Sequence, residues 1–264
     1  MGVAHSMERV MGGASVSEEV SDEPSVASRS AREVIRAVCG DFEEFGEEIV
    51  SEDPLGWPGY DEQLERAGKK SGEGESVVVG EAKIGGTPAV VIAFDFGFLG
   101  GSMGEATGRK IVAAFERAMG KRVSVVSLVA TGGARMQEGM RSLVQMQNVA
   151  EAVARARSAG VPHISVLRHP TTGGVWASLA STAEYIIGIK SASVSFAGTR
   201  VRGGEGDENH DTDADAFEAS GKFRDGFIDD EVRPEELPDK LSNILALLSP
   251  KRSCDAKKAG NESA

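Results

Sequence analysis

From residue 76 onward, short β-branched runs alternate with longer stretches in which apolar residues recur every three or four positions. Val77-Val78-Val79 and Ala89–Phe94, joined across Gly85-Gly86, predict a strand pair. Residues 103–119 carry Ile111, Val112, Phe115 and Met119 at helical spacing and complete a β-β-α unit. A second unit follows: a strand over 123–129, a Gly-rich break at Thr131-Gly132-Gly133-Ala134, and a helix over about 135–158. Met136, Met140, Leu143, Met146, Val149, Ala150 and Val153 step along that helix by threes and fours, which predicts a core-facing stripe. The third unit runs from a strand at 164–167 through a turn at 168–174 to a short helix near 176–183, then strands at 185–189 and 193–196. Strands alternating with helices need crossover connections, so the pattern predicts an α/β fold around a largely parallel sheet.

The flanks are simpler. Val34, Ile35, Val38 and Phe42 predict one amphipathic helix within 31–50, ended by Asp53-Pro54-Leu55-Gly56-Trp57-Pro58-Gly59. Leu237, Leu241, Ile244, Leu245 and Leu248 share a face of a docking helix from Pro234 to about Leu248. One domain over 31–248 is therefore expected between polar, mobile tails at 1–30 and 249–264. Residues 203–215 hold six carboxylates and no cation. Without the EF-hand arrangement of acids around a central Gly, they read as a solvated, self-repelling loop.

Charge and cysteine usage narrow the function. With 29 Lys+Arg against 41 Asp+Glu among 264 residues, the net charge is −12, which argues against a sequence-blind nucleic-acid binder. No run approaches the roughly 18 to 20 apolar residues of a spanning helix, and no secretory signal opens the chain, so a soluble cytoplasmic protein without membrane contact is expected. Cys39 and Cys254 are too distant to form a ligand knuckle, which leaves no metal site to predict. The four histidines support no Ser-His-acid spacing, so a conventional hydrolase is not expected. Glycine does stand out at strand ends: Gly97, Gly100-Gly101-Ser102-Met103-Gly104, Gly132-Gly133 and Gly173-Gly174. Such turns point main-chain N–H groups outward and admit a ligand to contact distance, which is one way to build an oxyanion site without side chains. The 100–104 loop is neither a P-loop nor a dinucleotide fingerprint, so ATP and NAD are poor fits.

Four segments carry a resemblance: FDFGFLGGSMGEATGRKIVAAFERA at 94–118, TGGARMQEGMRSLVQM at 131–146, GVPHISVLRHPTTGGVWASLA at 160–180 and ASVSFAGTRV at 192–201. In order and spacing they resemble the β subunit of the bacterial acetyl-CoA carboxylase carboxyltransferase, over about 190 residues from near Asp53 to near Leu248. The resemblance implies a crotonase-like fold of stacked β-β-α units and passage of a carboxyl group from carboxybiotin on a carrier protein to acetyl-CoA, giving malonyl-CoA. It implies no tightly bound cofactor, an α-type partner subunit in an α2β2-like hetero-oligomer, and a biotin carboxyl carrier protein and biotin carboxylase in the same ATP-linked system. Motif by motif, Gly132, Gly133, Gly173 and Gly174 fall on main-chain donors around the thioester, and Gly100, Gly101, Ser102 and Met103 on the CoA channel. Arg135 is a candidate for holding a substrate phosphate, a carboxylate or a partner subunit, or for an ion pair with Glu138 or another acid at the start of its helix. Arg109, Lys110 and Arg168 are unranked candidates for the CoA phosphates.

The family's usual N-terminal four-cysteine zinc ribbon has only Cys39 in the corresponding region, and the acidic stretch at 203–215 departs from the family after Val201. Three other readings therefore stay open: a biotin-independent malonyl-thioester decarboxylase, a carboxyltransferase for another acyl-CoA, and a non-catalytic scaffold partner.

Overall fold

A computed structural model describes residues 30–196 and 217–249. The tails and the acidic stretch at 203–215 lie outside them. Eight strands form one sheet: β1 (Phe42–Glu44), β2 (Val77–Ile84), β3 (Thr87–Phe94), β4 (Ser124–Thr131), β5 (His163–Thr172), β6 (Tyr185–Ile189), β7 (Val194–Ser195) and β8 (Asp230–Val232). The spatial order is β1-β2-β3-β4-β5-β6-β8, with β7 pairing onto the far end of β5. The β1-β2 and β2-β3 junctions are antiparallel and the others parallel. Gly85 and Gly86 both have positive φ, which gives the β2-β3 hairpin the tight turn its twist requires.

The helices are α1 (Ala31–Val38), α2 (Tyr60–Ser71), α3 (Glu105–Lys121), α4 (Met140–Ser158), α5 (Gly173–Ser178), α6 (Ala219–Arg224) and α7 (Leu237–Leu248). Every residue of β4 is buried. A strand buried along its whole length needs cover on both faces. Helices α3 and α4 form one layer, and α1 and α7, which touch each other and β2-β3, form the other. Leu237, Leu241, Ile244 and Leu245 make the buried face of α7, as the periodicity predicts.

Two expectations are corrected. The N-terminal helix is shorter than predicted: Ser30 caps it reciprocally with Glu33, it stops at Cys39, and Phe42 belongs to β1, where it pairs with Ala82. Sheet pairing wins there because Gly40 breaks the helix and donates its N–H to Lys83 O. The methionine stripe is not core throughout: Met136 is 81% and Met140 71% exposed, Leu143 and Val144 are also exposed, and burial of the helix core begins in earnest only around Val149. A break at Gly139 separates Met136–Glu138 from α4, so the predicted helix begins later than its period suggests.

His163, at the start of β5, is buried; its Nε2 lies 2.8 Å from Ser127 Oγ and its ring meets Phe115 edge-on at 5.2 Å. Nδ1 has no partner among the described residues. Burial pushes the imidazole down from 6.5 to about 3, with a smaller push from Arg157. The unfolded chain takes up this proton near the ordinary value and the folded chain only near 3, so stability is full at neutral pH and falls as pH drops through that window. Urea unfolding at pH 7, 6 and 5 should show a decline of up to about 1.4 kcal/mol per pH unit below 6.5, and His163→Gln should flatten it by that amount.

Candidate functional site

Loops leave the C-terminal ends of β3, β4 and β5 side by side, the place where open α/β sheets present ligands. The first two are knitted together by main chain. Gly132 N–H donates to Gly100 O at 2.8 Å, Met103 N–H to Gly133 O at 2.8 Å, and Arg135 N–H to Met103 O at 2.9 Å. The third loop meets the second backbone to backbone. A methyl group placed on Gly173 would stand 3.1 Å from Gly133 Cα, and one placed on Gly133 would stand 3.5 Å from Gly173 Cα. Gly133 has φ +103° and Gly173 φ +70°, conformations that side chains resist. Thr172 Oγ1 donates to Thr131 O at 3.1 Å and Thr171 Oγ1 to Val129 O at 3.0 Å, fixing the strand ends that carry the two turns.

In front of this contact lies a cavity of about 630 Å³ lined by Phe96, Leu99, Gly100, Ser102, Gly132 and His169, among others. The structure brings Gly132, Gly133 and Gly173 together but corrects the donor assignment. The Gly132 N–H is spent on Gly100 O, and the Gly133 N–H on Thr131 Oγ1 at 3.0 Å. Both serve the turn itself. Outside the bonds within helices and strands, the N–H groups of Ala134, Gly173 and Gly174 have no main-chain acceptor among the described residues. Ala134 lines the cavity. Gly174 packs so closely on Met146 that an added Cβ would come within 2.2 Å of its sulfur.

The candidate binding residues also divide. Gly100 and Ser102 line the cavity. Met103 is wholly buried and Gly101 is pressed against Ala130 O, so both belong to the packing beneath it. Residues 100–104 spell Gly-x-Ser-x-Gly, the spacing of a hydrolase nucleophile turn. Here Ser102 Oγ accepts from Arg135 Nε at 3.2 Å, and among the described residues no histidine bonds it.

Arg135 is among the residues lining the cavity, but it is 1% exposed and its guanidinium is engaged in a buried cluster that includes the ion pair with Glu138. Nη2 pairs with Glu75 Oε1 at 2.5 Å and donates to Ser102 O at 2.7 Å; Nη1 reaches Glu138 Oε1 at 3.2 Å and Ser51 Oγ at 2.5 Å. Tyr60 Oη donates to Glu138 Oε1 at 2.7 Å, and Glu105 N–H donates to Glu138 Oε2 at 2.5 Å. Burial alone would push Glu75 up, but the adjacent charge and hydrogen bonds of Arg135 outweigh it and hold the carboxyl below its ordinary value. Glu75, Ser51 and Tyr60 were invisible to sequence reasoning, since nothing local marks three scattered polar residues as one cluster. The Arg135–Glu138 spacing was the only trace of it.

Of the basic candidates, Arg168 is fully buried, donates to Phe94 O at 3.0 Å, and is pushed down to about 10 by burial. Lys110 is buried with Nζ toward Val77 O. Neither faces the cavity, and Arg109, though exposed, opens onto a different groove between α3 and α4. Cys39 is half-buried, and burial pushes its thiol up to about 12, which suits an inert residue.

The carboxyl transferase domain family matches residues 53–205. The acetyl-coenzyme A carboxylase carboxyl transferase subunit beta of Desulforamulus reducens is 41% identical over 208 residues, 79% of this chain and 72% of that protein. The beta/alpha protein of Natranaerobius thermophilus is 38% identical over 79% of this chain and 34% of its own length. Among solved structures, transcarboxylase 12S with methylmalonyl-coenzyme A and methylmalonic acid bound superposes with a TM-score of 0.69 at 25% identity, covering 83% of this chain and 42% of the other. A Pseudomonas malonate decarboxylase hetero-tetramer shares the fold with a TM-score of 0.68 at 23% identity, covering 91% and 92%.

Removing one partner from the buried cluster leaves its carboxylates uncompensated. Arg135→Met should cost about 3–5 kcal/mol, read as a Tm drop of about 8–15 °C for a domain of this size. Adding Glu75→Gln and Glu138→Gln should restore part of it. A single variant as stable as wild type in thermal unfolding would show that the cluster does not hold the loops.

Proposed function

The chain belongs to the carboxyl transferase family, and from that premise we propose that it is the β-type subunit of an acetyl-CoA carboxylase carboxyltransferase, which works with an α-type partner and moves a carboxyl group onto acetyl-CoA to give malonyl-CoA. The observation that carries the reading is the similarity to curated β subunits over four-fifths of the chain, joined to a cavity whose inner wall is the meeting of two glycine turns.

Loss of a proton from the acetyl methyl yields an enolate, whose oxygen needs donors. The N–H groups of Ala134, Gly173 and Gly174, beside the Gly133–Gly173 contact, are suited to that role, with Gly132 and Gly133 shaping the turns that present them. The carboxybiotin N–C bond breaks first, giving carbon dioxide and a ureido anion; that nitrogen accepts the methyl proton, and the enolate carbon so formed bonds the carbon of carbon dioxide. On this reading the protein supplies no side-chain base, which accounts for a cavity whose one histidine among the described residues, His169, accepts from Ser193 N–H at 3.2 Å.

The partners of the reading are an α-type subunit in a hetero-oligomer, and a biotinylated carrier with its biotin carboxylase. Met136, which lines the cavity, and Met140, Leu143 and Val144, which follow it in sequence, support the first, because all four are exposed apolar residues. A cytoplasmic location follows from the same reading; among the described residues no helix is long and apolar enough to cross a membrane.

The test is co-expression with the α-type partner and an assay of labelled carboxyl transfer from the carboxylated carrier to acetyl-CoA. Carrier-free release of carbon dioxide from malonyl-CoA, without transfer, would favour a decarboxylase instead. Transfer to propionyl-CoA in preference to acetyl-CoA would change the acyl group. In the active complex, Gly173→Val should lower transfer at least about a hundredfold, the scale of losing one preorganised donor, with circular dichroism unchanged. Wild-type turnover in that folded variant would rule out the glycine turns as the reacting centre.

A further inference from the structure

A second cavity, of about 620 Å³, adjoins the first: Phe96, Leu99 and Gly100 line both. Its other wall is one face of α2, with Gln63, Arg66, Ala67 and Lys70. Arg66 and Lys70 stand one helical turn apart, so their side chains emerge together. Among the described residues neither is paired with a carboxylate, although Lys69 beside them pairs with Glu65 at 2.5 Å, and Arg66 Nε reaches only the main-chain Glu62 O at 3.1 Å. In a chain of net charge −12, many arginines are already committed to acids: Arg32, Arg117, Arg141, Arg155 and Arg157 all are. Two uncommitted cations at one end of an apolar ledge, with the glycine turns at the other, form a graded path. Phe96, 42% exposed, is the step between them.

We infer that Arg66 and Lys70 hold the phosphates of the nucleotide end of the acyl-CoA substrate, with Phe96 and Leu99 carrying its apolar middle between the two cavities. The inference rests on the carboxyltransferase reading for the identity of the thioester. Its own content is the assignment of the phosphates to α2, in place of Arg109, Lys110 and Arg168. A guanidinium and an ammonium at a solvent-open ledge bind phosphate with little desolvation cost, and the attraction is screened by salt.

The test uses the complex with the α-type partner and the double variant Arg66→Glu/Lys70→Glu. KM for acetyl-CoA should rise about tenfold with kcat within twofold, while KM for acetyl-pantetheine, which has no nucleotide, should not move. Higher ionic strength should raise the wild-type KM for acetyl-CoA and leave that of the variant nearly flat. Lys69→Glu, at a residue outside the cavity, is the control. An unchanged KM for acetyl-CoA, an equal rise for both thioesters, or loss of the partner subunit on size exclusion would each overturn the assignment. Calorimetric titration with adenosine 3′,5′-bisphosphate decides the point apart from turnover: binding to wild type that disappears in the double variant supports it, and equal binding to both refutes it. A complex that binds this probe but transfers no carboxyl group would count against the carboxyltransferase reading alone.

Discussion

One buried guanidinium joins the parts of the site that the sheet by itself would leave separate. Arg135 leaves the loop after β4, yet its nitrogens bind Glu75 from before β2, Ser51 from the segment preceding α2, Ser102 from the loop after β3 and Glu138 from its own loop. Two carboxylates around one cation would be a poor arrangement in an apolar interior if nothing else met their charge. Here Tyr60 and the Glu105 N–H take up Glu138, while Ser51, Thr107 and the Ser76 N–H take up Glu75. Such a cluster contributes less to net stability than to uniqueness, because only one arrangement of the loops satisfies every member.

That arrangement fixes the distance between the glycine turns and the cavity. Parallel strands β3, β4 and β5 end on one edge of the sheet, so their following loops are neighbours by topology. Topology alone does not bring Gly133 against Gly173. The register shift between Val129 and Thr131 moves the ends of β4 and β5, and the threonine hydroxyls at 171 and 172 then bridge to β4 carbonyls. The close approach follows; it crowds a side chain at Gly173, while at Gly133 it is the φ of +103° that favours glycine.

Much of this was legible beforehand. The β2-β3 hairpin, the helices after β3 and β4, and the docking helix at the C-terminal end were readable because each is set by local period and turn chemistry. Their failures are equally local in cause. Phe42 fits a helical stripe and a strand pairing equally well, and only the partner strand decides. Met136 and Met140 sit at core spacing, but the break at Gly139 takes Met136 out of α4 and leaves Met140 at its first position, and both are exposed. The glycine positions were found as a group, whereas which amides remain uncommitted is a property of three loops in contact, and the sequence around Gly132 cannot reveal that Gly100 O takes its proton. Arg135 was singled out from its motif, but Glu75 lies sixty positions away and its pairing is visible only in three dimensions.

If the cavity is the reacting centre of the proposed enzyme, it is half an active site on physical grounds. An enolate oxygen held by two main-chain donors gains most where water is excluded, since bulk solvent would compete for the same charge and screen the donors. The cavity here is open, and its mouth is bordered by Met136, with Met140 beyond it, both far more exposed than a solitary surface would favour. Covering that rim would bury apolar surface and dry the donors in one step, so the same contact that stabilises an assembly would also complete the chemistry. The exposed Met136 on the lining of the same cavity as the Ala134 amide is what would link partner binding to catalysis in the proposed enzyme.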